Sequence, residues 1–224
     1  MVMVVIVYSE QNVETMSKIL PLKAELGNTW THLFGALFAL SSIWLVWPAV
    51  EIGWQMAFGV IFFICGMFLM FLASTIYHWV HPGFAKQVLR KLDHISIYVM
   101  IACSYTSICI GVVGGWLGWL VFGFQWATVI GGIFYKVFAM GKYPRLSLAI
   151  YLIMGWSVLF IIPEVMERLS TLSMLLLLLE GVFYTSGTYF FAHDSKKHYH
   201  AIWHVFVLLG AMAHWGTVLS ILLA

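Results

Sequence analysis

Two histidines near the start of the last apolar stretch, His200 and His204, have the spacing of a metal-binding pair. Side chains four residues apart lie on one face of a helix, about 5–6 Å from each other, so both imidazoles can reach one metal ion. A third histidine, His78, closes the second apolar stretch. Three histidines that leave one coordination position open are typical of catalytic zinc. The pattern predicts that His78, His200 and His204 bind zinc (Zn2+).

Two further polar residues would complete such a centre. Asp93 lies near the start of the third apolar stretch, where a charge is costly, and Ser74 lies one helical turn before His78. Asp93 would orient a metal-activated water, take its proton or hold the metal through a water, and the sequence leaves these roles open. Ser74 would hydrogen-bond a ligand, the water or a substrate oxyanion. We therefore expect Asp93 and Ser74 to be the catalytic residues.

The histidines also have a simpler interpretation. A lone histidine at a membrane interface is more often a hydrogen-bonded structural residue than a metal ligand. The metal is favoured here because the three histidines have one expected depth, come from two separate stretches and lie near an aspartate.

Polar residues at the start of the first apolar stretch are expected at the same membrane depth as the histidines and could support them. Glu25, Asn28 and His32 would brace the ligands as a second shell, and Asn28 with Thr31 would cap or brace the helix start. A role for His32 as a fourth ligand is less favoured than bracing.

Two polar residues are expected at greater depth. His214 follows His204 by roughly 15 Å at 1.5 Å per residue, too far to share its metal, and is predicted to be a hydrogen-bonded core residue that lines a cavity. Glu180 lies among leucines, so it should be protonated or face a cavity. One interpretation is that Glu180 exchanges a proton or contacts a substrate. We favour the other, in which it is hydrogen-bonded to a neighbouring helix.

The elements that must position these residues are membrane helices. The chain has 224 residues, of which 62% are hydrophobic and only 9% are charged. Runs of about 20 apolar residues indicate membrane helices. Seven are predicted, at 29–50, 54–80, 92–113, 117–139, 145–163, 171–192 and 199–223. The expected fold is an all-α, seven-transmembrane helix bundle over 29–224, after a cytoplasmic amino-terminal tail over 1–28.

Glycine and proline mark some of the boundaries. Gly111, Gly114 and Gly115 predict a tight turn after the third stretch, and Pro163 is expected to end the fifth. The segment Val2 to Val7 is too short to span a membrane and lacks a preceding basic region, so no cleaved signal peptide is predicted. Met16 is a candidate natural start.

Lysine and arginine predict the orientation. Arg168 alone is expected on the side of the carboxyl terminus, and ten residues on the other side. These ten are Lys18, Lys23, Lys86, Arg90, Lys91, Lys136, Lys142, Arg145, Lys196 and Lys197. The positive-inside rule then places the amino terminus in the cytoplasm and the carboxyl terminus outside.

The remaining composition excludes other classes. Cys65, Cys103 and Cys109 fall in apolar runs, which predicts small buried residues and no disulfide framework. The net charge of +2 comes with no basic patch, so no nucleic-acid partner is expected. Membrane lipids are the expected partners. The oligomeric state stays open, because Gly123, Gly131 and Gly132 allow close packing within the chain or between chains.

Five motifs together resemble a known family. They are Glu25-x-x-Asn28-x-x-Thr31-His32-x-x-Gly35, Ser74-Thr-Ile-Tyr77-His78, Leu92-Asp93-His94, Tyr184-x-x-Gly187 and His200-x-x-x-His204-Val-Phe-Val. From about residue 20 to the end, the chain is similar to the bacterial hemolysin III family. That family belongs to a superfamily with the progestin and adiponectin-type (PAQR) receptors and the alkaline ceramidases.

The resemblance implies seven helices with the amino terminus inside, in a bacterial plasma membrane. It also implies a zinc site in which His78, His200 and His204 are ligands, and Ser74 and Asp93 match the polar pair beside the metal. Superfamily members with demonstrated chemistry hydrolyse ceramide-type amides, whereas the hemolysin name implies cytolysis. Glu180 departs from the small residue usual at its position.

Three functions follow as hypotheses. The first is a zinc-dependent membrane hydrolase that cleaves a lipid amide or ester. The second is a non-catalytic receptor or homeostasis protein with structural zinc, which four protein ligands and no water would favour. The third is a cytolytic protein, against which the scarcity of intramembrane charges argues.

Overall fold

The computed structural model describes residues 22–224. The expectations about Val2 to Val7, Met16 and Lys18, and about most of the amino-terminal tail, lie outside the described residues.

Seven helices in the described chain are long and apolar enough to cross a membrane. They are α1 (Leu26–Ile52), α2 (Trp54–Trp79), α3 (Phe84–Val113), α4 (Gly115–Ala139), α5 (Arg145–Arg168), α6 (Thr171–Ala192) and α7 (Tyr199–Leu222). The predicted all-α, seven-helix fold is confirmed, and the orientation of its ends stays a prediction. The end of the bundle where α1, α3, α5 and α7 begin is called the near end below, and the opposite end the far end.

The third helix begins earlier than expected. It starts at Phe84 rather than at residue 92, because a charged segment with Lys86 and Arg90 continues the helix beyond the apolar stretch. Hydrophobicity marks the part of a helix that suits lipid, whereas backbone hydrogen bonding extends through polar helix formers as well. Asp93 therefore lies in the third turn of α3 and not in its first turn, as the sequence had suggested.

The expectation that Pro163 ends the fifth helix is wrong. The span tightens to a 3-10 helix over Ser157–Ile161 and then continues as Ile162–Arg168, with Pro163 in the first turn of this last piece. Proline is tolerated there because the first-turn N–H groups of a helix have no partner within the helix.

The predicted glycine turn after the third helix is confirmed. The end of α3 widens to a π-helix over Cys109–Val113, and Gly114 and Gly115 follow with φ of 63° and 57°. These left-handed values favour glycine, and they let α4 begin at once.

The core lies around α2, whose Phe63, Met67 and Phe71 are fully buried. The cysteines are free, and Cys103 and Cys109 are buried as expected, but Cys65 is exposed on α2. On α4, Gly132 packs against the Tyr98 ring.

Glycines also set the approach of α6 to α7. A Cβ added at Gly187 would lie 2.9 Å from the Trp203 ring, and one at Gly210 would lie 2.7 Å from the Tyr184 ring. Each helix therefore accepts an aromatic ring of the other, which brings the two backbones close and fixes both rings.

Candidate metal centre

The three histidines that the sequence singled out converge at the near end. His78 lies in the last turn of α2, and His200 and His204 lie in the first two turns of α7. One ring nitrogen from each lies within 4.8 Å of the others. His78 and His204 are buried and His200 is partly buried. This separation allows a single ion to contact all three rings.

The outward ring nitrogen of each histidine faces an oxygen. His78 Nδ1 lies 2.7 Å from Glu25 Oε2, and His204 Nδ1 lies 3.2 Å from the backbone oxygen of Asn28. His200 Nδ1 lies 3.9 Å from Asp194 Oδ2, a longer and partly exposed contact. The oxygens at His78 and His204 lie within hydrogen-bonding distance and favour a proton on Nδ1 of these two rings. At His200 the Asp194 carboxylate is too distant for a hydrogen bond, and only its charge favours a proton on Nδ1.

A proton on Nδ1 leaves the Nε2 lone pair free, which is how a metal-bound histidine is commonly oriented. The Nε2 atoms of His78 and His200 are buried, and neither has a hydrogen-bond partner among the described residues. A buried acceptor without a partner is costly, and a metal ion would satisfy it. Three imidazoles suit zinc and other first-row transition metals. The residues present therefore fit the metal that the sequence predicts.

Glu25 determines which ring nitrogen of His78 carries a proton. The hydrogen bond with His78 holds the pKa of Glu25 at about 2, well below its ordinary value of 4.5. The Asn28 amide, which donates to Glu25 Oε2 at 2.8 Å, and the charge of Lys86 act in the same direction, while burial opposes them. Glu25 is therefore ionised at neutral pH and can only accept, so His78 donates from Nδ1.

Asn28 and His32 also contact the histidines. The Asn28 side chain bonds Glu25 and its backbone oxygen faces His204, so it braces the centre and makes no side-chain cap for α1. Thr31 donates to the Gly27 carbonyl within the same helix. The His32 ring stacks on the His204 ring with centroids 3.7 Å apart. His32 thus meets the centre with the face of its ring, and both of its ring nitrogens are buried without a hydrogen-bond partner among the described residues. Its bracing role stays a prediction.

Asp93 and Ser74 lie together on the wall of a cavity that His200 and His204 also line. The Ser74 side chain is buried and is hydrogen-bonded to the Asp93 carboxylate. Since a serine hydroxyl can donate to a carboxylate, Ser74 holds one carboxylate oxygen and limits the rotation of Asp93.

The cavity has a volume of about 590 Å³ and extends from the histidine centre to Glu180 and His214. Apolar side chains of α3, α5, α6 and α7 form most of its wall. Leu159 of α5 and Leu178 of α6 line the cavity, yet 56% and 57% of their surfaces are exposed. The cavity therefore reaches the lateral surface of the bundle between α5 and α6, which would face lipid chains.

The expectations for His214 and Glu180 agree with the structure. His214 is buried, lines the cavity and places Nδ1 2.7 Å from Glu180 Oε2. Its Nε2 lies 2.9 Å from Ser107 Oγ. Glu180 thus has its partner on a neighbouring helix, as favoured, and its protonation stays a prediction.

Sequence reasoning missed a network on α4. Lys136, which the sequence places only among the basic residues on the side of the amino terminus, is buried and donates to His94 Nδ1 at 3.3 Å and to Ser147 Oγ at 2.7 Å. His94 lines the cavity beside Asp93. The position of Lys136 inside an apolar stretch was the available signal, because an intramembrane charge marks a functional site by default. Asp194 was also missed, although it lies in the short loop directly before α7 and His200.

Comparisons with known proteins agree on one family. Residues 21–215 match the profile of the family described as Haemolysin-III related. The chain is 34% identical over 201 residues to the Hemolysin-3 homolog of Bacillus subtilis (strain 168), covering 88% of this chain and 94% of that protein. It is 36% identical over 193 residues to Hemolysin-3 of Bacillus cereus, covering 85% and 88%. It is 27% identical over 203 residues to the Monocyte to macrophage differentiation factor of Homo sapiens, covering 85% and 81%.

Proposed function

Because the chain belongs to the haemolysin-III-related family of multi-pass integral membrane proteins, we propose that its histidine centre is a zinc site and that the protein is a zinc-dependent hydrolase of a lipid amide or ester. The bacterial plasma membrane, with the amino terminus in the cytoplasm, is the proposed location.

The observation that carries this proposal is the arrangement of His78, His200 and His204. Their ligand atoms lie within 4.8 Å of one another, and an oxygen outside the cluster faces the second nitrogen of every ring. Hydrogen-bonded histidines with a purely structural role need no such convergence.

The cavity supports a lipid as the substrate. Its volume of about 590 Å³ lies within the range of ordinary ligand sites, and its wall is mostly apolar. The opening between α5 and α6 would admit a chain directly from the bilayer. The polar head of such a lipid would lie at the near end, beside Ser74 and Asp93.

Zinc, when bound, would polarise the scissile carbonyl and lower the pKa of a water. The protein's own contribution begins with Asp93, which accepts the proton of the attacking water and passes it to the leaving group. Ser74 keeps the Asp93 carboxylate in place through its hydrogen bond. Glu25 and Asn28 hold the rings of His78 and His204, and the apolar wall excludes bulk water from the reacting bond.

The test combines metal analysis with a turnover assay on purified full-length protein. Elemental mass spectrometry should find about one zinc per chain, and the same protein should release fatty acid from a ceramide or an acyl ester in mixed micelles. Removal of the metal with a chelator should abolish release, and added zinc should restore it. Folded protein that neither carries nor takes up zinc would contradict the proposal.

Two other functions have some support in the names of the relatives. Hemolysin-3 is named for lysis, and the Monocyte to macrophage differentiation factor for a cellular outcome rather than for a reaction. A lytic protein would release dye from liposomes without hydrolysing lipid. A non-catalytic zinc protein would carry one zinc per chain, show a fourth protein ligand by X-ray absorption, and release no fatty acid from any lipid in the panel.

A further inference from the structure

A second group of polar side chains lines the same cavity, away from the histidine centre. It consists of Glu180 and Tyr184 on α6 and His214 on α7. His214 follows His204 along α7 by roughly 15 Å at 1.5 Å per residue, so the group lies well down the cavity. The mechanism proposed above uses none of these three residues.

The hydrogen bonds of His214 determine the charge of this group. The single Ser107 hydroxyl hydrogen points to the Ser104 carbonyl at 2.7 Å, so the His214 Nε2–H donates to Ser107 Oγ at 2.9 Å. One proton then lies between His214 Nδ1 and Glu180 Oε2, which are 2.7 Å apart. The pair has zero net charge whichever of the two atoms carries that proton.

Two polar atoms of the group stay available to the cavity. Among the described residues, the Glu180 carboxyl is hydrogen-bonded through Oε2 to His214, and 14% of this side chain is exposed. The Tyr184 hydroxyl is buried with no hydrogen-bond partner among the described residues. A buried hydroxyl without a partner is uncommon in folded proteins and requires an explanation. A bound ligand would supply the partner.

The Tyr184 ring is confined on the side of α7. Glu180 and Tyr184 are four residues apart and therefore lie on one face of α6. The Tyr184 ring rests against Gly210 of α7, where an added Cβ would lie 2.7 Å from the ring. The ring cannot move towards α7, and the carboxyl and the hydroxyl are neighbouring polar groups in a mostly apolar wall.

We propose that Glu180 and Tyr184 form a second binding subsite, which takes a hydroxyl group carried on the alkyl chain of the lipid. The ligand hydroxyl donates to the free Glu180 oxygen and accepts from Tyr184. A neutral group is favoured because the Glu180–His214 pair has no net charge with which to attract an ion. The position of the head group at the histidine centre rests on the function proposed above, but recognition of the hydroxyl does not require turnover.

Two fatty acids provide a matched test, because ricinoleic acid is oleic acid with one added hydroxyl far down the chain. Their affinities for the purified full-length protein are measured in nanodiscs by displacement of a fluorescent fatty acid. We expect ricinoleate to bind about tenfold more tightly than oleate, the effect of one good hydrogen bond to a buried polar site. Tyr184→Phe should reduce the preference to about twofold or less, and Glu180→Gln, whose amide can still pair with a hydroxyl, should reduce it less.

Tyr189→Phe is the control variant, because Tyr189 lies on the same helix but its side chain is exposed. It should keep the full preference. Tyr184→Phe keeps the ring and its packing, so it decides the question even if Glu180→Gln does not fold, as judged by size-exclusion chromatography.

Equal affinity of the wild-type protein for both acids would overturn the subsite, as would a preference that survives both substitutions. Binding of neither acid would overturn it as well. The zinc and turnover assays are separate measurements, so a hydrolase without the hydroxyl preference would be recognised as such.

Discussion

Histidines lie at both parts of one cavity, and the hydrogen bonding of their ring nitrogens differs between the two parts. At the near end, each of three histidines has one nitrogen facing an oxygen, and the Nε2 atoms of His78 and His200 are left without a partner in the described chain. Farther along, both nitrogens of His214 are hydrogen-bonded. Burial is similar at His204 and His214, with 2% and 1% exposed. His214 is therefore hydrogen-bonded at both ring nitrogens, whereas His78 and His200 each keep one buried nitrogen without a partner among the described residues.

The acceptors explain this difference. The near-end oxygens come from Glu25, Asn28 and Asp194, which surround the histidine cluster and leave its interior free. At His214, Glu180 and Ser107 lie on opposite edges of one ring, and each is hydrogen-bonded to one of its two nitrogens. A histidine with both nitrogens hydrogen-bonded can stabilise the bundle but cannot bind a metal without breaking a hydrogen bond.

The largest expected effect is on metal content. The double variant His200→Ala/His204→Ala removes two of three ligands and should reduce zinc from about one per chain to nearly none by elemental mass spectrometry. The His214→Ala variant should keep its zinc, because both ring nitrogens of His214 are hydrogen-bonded to other side chains and neither is free to bind a metal. Loss of zinc from both variants alike would remove the distinction between the two parts of the cavity.

The next effect is on turnover. Asp93→Asn keeps the shape of the side chain but cannot accept a proton, so fatty acid release should fall by about 10²–10⁴-fold while zinc stays bound. Glu51→Gln, a change at an exposed carboxylate near the end of α1, is the control and should keep full turnover. An Asp93→Asn protein with wild-type turnover would exclude a catalytic role for this residue.

The distal histidine should matter more for stability than for metal. His214→Ala leaves the Glu180 carboxyl without its buried partner, which should cost about 1–3 kcal/mol, whereas Ser107 keeps its hydrogen bond to the Ser104 carbonyl. The melting temperature, measured on metal-free protein, should therefore fall clearly. His200→Ala, at a partly buried ring with one long contact to Asp194, should lower it less. The reverse order would show that the near-end histidines serve mainly as structural hydrogen-bonding residues.

The smallest effects concern the oxygens that hold the rings. Glu25→Gln should weaken zinc binding about 10–100-fold in a chelator competition, because it removes the ionised acceptor at His78 Nδ1. Asp194→Asn should change the affinity less, since Asp194 is 55% exposed and 3.9 Å from His200. If Asp194→Asn had the larger effect, the ranking by distance and burial would be wrong.

The helices could be predicted well and their ends less well. Long apolar stretches located all seven spans, because a span needs about 20 residues that suit lipid. The same criterion missed the charged first part of α3 from Phe84, and it read Pro163 as a stop although the chain continues helical to Arg168. Apolar composition reports the environment of a helix, whereas its length depends on backbone hydrogen bonds that polar residues form equally well.

The sequence by itself determined the seven helices and the spacing of His200 and His204, because both depend on local periodicity along one chain segment. It also placed His78 and Asp93 at the same level, through the alternating direction of successive spans. Only the tertiary structure decided which nitrogen of each ring is free. That depends on partners such as the Asn28 carbonyl and Ser107, distant in sequence from the histidines that they contact. Any backbone carbonyl and most serines can make such a bond, so residue type carries no signal for it, and the packing of helices selects the ones that do.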